Sequence, residues 1–191
     1  MRRRPVRPRP NRNRPTFRRP PQHPRAARAL KLLRRANHMM ETGHFIEASN
    51  IYLELARRAE DRSIPRSPQL YLQAGRALSL AGEIDNAVTR LRKGLQLMLD
   101  YQQGQRFQFA IQRVVQDLQR QGFENHANEL EEEFSESIKE LPKSQDSTQT
   151  EHPPLPPSCP DCGAVVRPDE LEWINSTQAY CDYCGSVLEG R

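Results

Sequence analysis

The chain has little apolar material and no long apolar run. Of its 191 residues, 36% are hydrophobic and 6% aromatic, with a single tryptophan, and mean hydropathy is −0.86. One core drawn from the whole length is therefore not expected. No stretch approaches the roughly 18 apolar residues that a membrane span needs, so no membrane partner is expected. Cysteine is absent from the first 158 residues, and all four fall between 159 and 184, which excludes a disulfide framework through the body of the chain. Acids are missing from residues 1–35, which carry fourteen Arg or Lys. The remaining residues hold the other 15 bases and all 24 acids, a net −9. The sequence pI of 9.3 thus belongs to one end of the chain. Motifs of catalysis are also missing: there is no nucleophile elbow, phosphate loop, H-E-x-x-H or dinucleotide fingerprint. A non-enzymatic protein without a small-molecule substrate is expected.

The N-terminus is positive but has no apolar segment behind it, which does not support a secretory signal. It is rich in arginine and free of acids, as transit peptides are, yet seven prolines in the first 25 residues oppose the amphipathic helix such a peptide forms. The expected location is cytoplasmic, where thiols stay reduced. Residues 1–25 have like charges, blocked helix and only Val6 and Phe17 as large apolar residues. They are expected to form a disordered basic arm.

From residue 26 apolar residues recur at helical spacing. Ala29, Leu30, Leu33, Ala36 and Met40 open the series. Phe45, Ala48, Ile51, Tyr52 and Leu55 follow, then Leu70, Ala74, Ala77, Leu78 and Ala81. Three further faces are marked by Ile84–Met98, Phe107–Leu118 and Phe123–Ile138. Six amphipathic helices are expected over residues 26–141. Gly43, Gly82 and Gly122 lie 39 and 40 residues apart, each followed five residues later by Ala48, Ala87 or Ala127. That spacing describes a helical hairpin. Glycine ends the first helix where a left-handed residue is needed, and alanine lets the second helix pack closely on the first. A hairpin with one buried side stacks on its neighbours.

The hairpins resemble the tetratricopeptide repeat over residues 28–138. Tyr71, Ala74, Gly75, Leu78, Gly82, Ala87 and Leu91 fall at that family's signature spacings, as do Leu32, Ala36, Met39, Gly43, Phe45, Ala48 and Tyr52. In the third hairpin Ile111, Val115, Leu118, Gly122 and Ala127 fit, but Glu131 stands where the family has a large apolar residue. The period exceeds the usual 34 residues, and other helical hairpin repeats remain open. The resemblance implies a mainly α fold of three stacked hairpins, an α-solenoid, whose groove binds a protein partner.

Residues 142–157 are rich in Pro, Ser, Thr and Gln and read as a flexible linker. Beyond them, at 158–191, the cysteines form C-x2-C-x18-C-x2-C: Cys159, Cys162, Cys181 and Cys184. Two tight turns of this kind supply the four ligands of one tetrahedral ion. Gly163 and Gly185 follow the pairs, where the turn needs an unusual backbone angle. Strands are expected at "AVV", "LEWI" and "SVL". The segment resembles a zinc ribbon, which implies one structural Zn2+ without an open coordination position. A pair of disulfides and a single-iron site of rubredoxin type are the rival readings.

The five histidines are scattered. His44 and His126 sit by hairpin turns and read as solvated, and His152 is a conceivable stray ligand. Glu131, Glu132 and Glu133 read as a solvated helix face, and Trp173 as packing on the ribbon. Two functions follow as expectations. One is an adaptor that binds a protein through its repeats, with the ribbon as a second docking module. The other is a nucleic-acid-associated factor in transcription or translation, using the basic arm and the ribbon. Whether the ribbon docks on the repeats is left open at this level.

Overall fold

The computed structural model describes residues 24–140, 152–168, 171–181 and 183–190. The expected basic arm lies outside the described residues up to residue 23, as does the expected linker up to residue 151. The fold is mainly helical. α1 (Pro24–Glu41), α2 (Phe45–Glu60), α3 (Ser67–Leu80), α4 (Ile84–Asp100), α5 (Gly104–Arg120), α6 (Glu124–Glu133) and α7 (Ser135–Glu140) pack each on the next. Six helices were expected, and the difference arises at Phe134. Its backbone leaves the helical region (φ −98, ψ 5), and its ring turns inward to meet Phe107 edge-on at 5.6 Å.

The three glycines do what their spacing predicts. Gly43, Gly82 and Gly122 have φ of 79, 81 and 84. At each, the amide one residue further on reaches back to the last turn: His44 N to Met39 O, Glu83 N to Leu78 O, and Phe123 N to Leu118 O, at 2.9–3.0 Å. This is the Schellman termination. Ala48, Ala87 and Ala127 are fully buried.

The same termination ends α2 and α4, where no glycine announces it. Ser63 (φ 50) and Gln102 (φ 55) take the left-handed position, and Ile64 N and Gln103 N bond to Ala59 O and Met98 O. One cap geometry therefore recurs about every twenty residues, at 43, 63, 82, 102 and 122. The 39–40-residue repeat is two nearly equal halves.

α3 and α4 meet at closest range through two reciprocal glycines. A Cβ on Gly75 would stand 2.6 Å from Leu91 Cγ, and one on Gly94 would stand 2.9 Å from Leu72 Cγ. Each helix thus offers a leucine to the other's glycine. Around them Leu72, Val88, Leu91, Leu95, Met98, Phe107, Ile111, Leu118, Leu130 and Phe134 form one buried cluster.

The C-terminal unit is a small three-stranded antiparallel sheet, β1 (Glu172–Trp173), β2 (Gln178–Tyr180) and β3 (Val187–Glu189), in that order. The strand expectations are corrected here. "AVV" contributes only an isolated bridge, Val165 to Ser158, and the central strand Gln178–Tyr180 was not anticipated. It exists because the second cysteine turn needs a strand entering it as well as one leaving it, and Ala179 pairs across to Leu188. Residues 152–157, at the end of the expected linker, lie against this unit. Pro157 O accepts from Val166 N at 3.0 Å, and His152 stacks on Trp173 at 3.7 Å with rings 7° apart.

Candidate metal centre on the helical body

Two turns of the same build carry the cysteines. In the first, Gly163 N donates to Cys159 O (2.8 Å) and Cys159 N to Ala164 O (2.8 Å). In the second, Gly185 N donates to Cys181 O (2.7 Å) and Cys181 N to Ser186 O (2.7 Å). Gly163 and Gly185 have φ of 76 and 67, a conformation costly for any residue with a Cβ. Each turn points two sulfurs inward, and all four side chains are buried.

The four Sγ atoms lie within 4.8 Å of one another. Cys159 to Cys184 is 3.7 Å and Cys162 to Cys181 is 3.8 Å. A tetrahedral ion with sulfur at about 2.3 Å sets its ligands about 3.8 Å apart, so the donor set fits a metal ion. A disulfide needs sulfurs at about 2.05 Å, and all four cysteines are free thiols here. The electrostatics agree. Hydrogen bonds from Cys162, then Cys181 and Cys184, hold the Cys159 thiol far below its ordinary range. Cys162 and Cys181 are pushed up, first by their bonds to Cys159. Four clustered thiols cannot all ionise by themselves, and a divalent cation at their centre removes that restriction. His152 is not among the clustered ligands; its ring is engaged with Trp173.

The sequence does not show how the centre is seated. Asn37 of α1, buried to 3% exposure, donates from Nδ2 to Cys162 O at 3.0 Å. Its Oδ1 accepts the Tyr52 hydroxyl of α2 at 2.7 Å. Burial, aided by Tyr183, pushes that Tyr52 hydroxyl well above its ordinary range, which keeps it a donor. On the other side Arg66, at the start of α3, donates to Ser186 Oγ (3.3 Å), and Ser186 Oγ lies 3.0 Å from Cys184 Sγ.

Each cysteine turn is also overlain by an arginine. Arg34 donates to Asp161 O at 3.4 Å beside Gly163. Arg106 of α5 stands 4.7 Å over the Tyr180 ring, and a Cβ on Gly185 would come within 3.1 Å of its guanidinium. Leu33, Ala36, Ala48, Tyr52, Leu55, Ala74 and Ala77 share one apolar cluster with the cysteines, Ala164 and Leu188. α1, α3 and α5 thus all contribute to the seat.

A second feature lies further along the same odd-numbered helices. A small cleft of about 50 Å³ between α3 and α5 has a floor of Leu72, Leu91, Val114 and Leu118 and a rim including Gln69, Arg76, Arg113 and Asp117. Arg76 and Arg113 share Asp117 at 3.6 and 4.0 Å, so the rim carries one more positive than negative charge. Among the described residues, no helix is long and apolar enough to cross a membrane. No protein-family model, curated protein or solved structure matches this chain.

Proposed function

We propose that the protein is a non-enzymatic adaptor. Its tetratricopeptide-like hairpins hold a protein partner, and a zinc ribbon with one structural Zn2+ on Cys159, Cys162, Cys181 and Cys184 braces the stack. The cleft between α3 and α5 is the observation that carries this reading. It has an apolar floor for one side chain of an extended segment and a net positive rim, which favours an acidic one. Four thiolate ligands leave no open position, so the metal supplies folding energy and no chemistry on a substrate. The ribbon is not well suited to nucleic acid: residues 158–191 carry six acids and two bases.

The test is site-specific photocrosslinking from Ala110, on the cleft wall, in native lysate with and without nuclease. The expected result is one defined protein adduct that survives nuclease and is lost in an Arg76→Glu, Arg113→Glu variant. Absence of an adduct, or an adduct that nuclease removes, defeats the adaptor reading.

A further inference from the structure

Six basic side chains of α2–α5 sit opposite acids. Arg58 pairs with Glu54, Arg92 with Glu129 and Glu133, Lys93 with Glu60, and Arg76, Arg113 and Arg120 with Asp117. α1 is different. Arg28, Lys31, Arg35 and His38 are exposed at spacings of three, four and three residues. On a helix with 3.6 residues per turn that spacing is one stripe about 15 Å long. Arg34 borders it. No ion pair involves these bases among the described residues, and no acid precedes Glu41 in the sequence. The opposite face of α1 is spent on packing, with Leu33, Ala36 and Asn37 buried.

We infer that this stripe is a phosphate-backbone binding surface for nucleic acid. Three observations select that partner. The bases are arginine-rich, and the guanidinium fork matches phosphate oxygens. The charges run lengthwise along α1 for about 15 Å, as a polyanion requires and a small anion does not. The stripe itself offers no large apolar or aromatic residue, and the apolar face of α1 is occupied. The helix therefore cannot lie in a bilayer by burying an apolar face, and it has no aromatic platform for stacking bases. Binding is consequently sequence-blind and salt-dependent. It needs neither the cleft nor the ribbon, so its failure leaves the adaptor reading untouched.

The experiment uses the full chain. Fluorescence anisotropy with two unrelated 20-bp duplexes compares the native protein with an Arg28→Gln, Lys31→Gln, Arg35→Gln variant. A control with the same net-charge change carries Gln112→Glu, Gln116→Glu and Gln119→Glu on the exposed side of α5. The stripe variant is expected to bind about tenfold or more weakly at 50 mM salt. Its salt slope should be shallower by about three, one per lost phosphate contact. The control should stay within about twofold of native, and both duplexes should behave alike. Native-like affinity in the stripe variant, or an equal loss in the control, overturns the inference. So does tighter binding to phosphatidylserine vesicles or to polyglutamate than to the duplexes.

Discussion

Asn37 and Cys162 lie 125 positions apart in the chain, yet the Asn37 amide closes on the Cys162 carbonyl at 3.0 Å in a buried setting. With Tyr52 behind it, this contact makes α1 and α2 part of the wall of the cysteine centre. Losing one partner of a buried hydrogen bond strands the others, at about 1–3 kcal/mol for each group left unsatisfied. Asn37→Leu is therefore expected to lower stability by at least about 2 kcal/mol. It should also speed amide exchange at Gly163 and Cys159. Chemical denaturation and hydrogen exchange check this. Wild-type exchange in the first turn would mean that the helices do not hold it.

Metal removal should reach beyond the C-terminal unit. Native mass spectrometry is expected to show one ion per chain, and zinc rather than iron leaves the protein colourless. Chelation should unfold the sheet, whose core is too small without it. It should also lower the melting temperature of the helical signal, because Leu33, Ala36 and Tyr52 lose their cover. An unchanged helical transition after full chelation would contradict the shared core.

The five helix ends allow a stabilising change. Gln102 holds φ 55 without being glycine, a strain of about 1 kcal/mol, partly offset by the greater freedom glycine has when unfolded. Gln102→Gly is expected to be neutral to stabilising, by up to about 1 kcal/mol. Gly82→Ala at φ 81 should destabilise by about 1 kcal/mol. The pair of melting curves should move in opposite directions or, at least, in that order.

Packing between α3 and α4 leaves no room for growth. Gly94→Ala would drive a methyl into Leu72 and the Pro68 carbonyl, and Ala87→Leu would overfill a fully buried site. Each is expected to cost about 1–3 kcal/mol, read as a lower midpoint in urea at unchanged slope. A wild-type midpoint for Ala87→Leu would place that alanine outside the hairpin contact.

Acid sensitivity has one identifiable contributor. Bonds from Lys93 and then Tyr71 hold the Glu60 carboxyl below its ordinary 4.5. Burial, followed by the Glu60 bond, pushes Tyr71 up to about 12. A lowered carboxyl favours folding above its unfolded pKa, and that stability fades as pH falls through the folded value. Glu60→Gln should therefore reduce stability at pH 7 and flatten the decline in stability below about pH 4.5. Parallel pH–stability curves for the two proteins would rule Glu60 out as a contributor.

The sequence by itself determined the hairpin count, the glycine turns and the identity of the four clustered cysteines. Each of these rests on local chemistry. A left-handed cap favours glycine, a close helix crossing needs alanine, and a metal turn needs C-x-x-C. Their signals recur at fixed spacing and need no knowledge of what lies across the fold. The caps at Ser63 and Gln102 are not legible in the sequence, because residues other than glycine occupy the left-handed position and leave no compositional mark. The strand at Gln178–Tyr180 is not legible in the sequence because a strand of three residues is too short to show periodicity. Only the tertiary structure decided that the cysteine unit rests on α1, α3 and α5. That seat depends on single long-range partners, Asn37, Arg66 and Arg106, each of which reads locally as an ordinary polar residue. The α1 stripe belongs to both levels. Its charges are plain in the sequence, but packing of the opposite face decided that they stand exposed on one side.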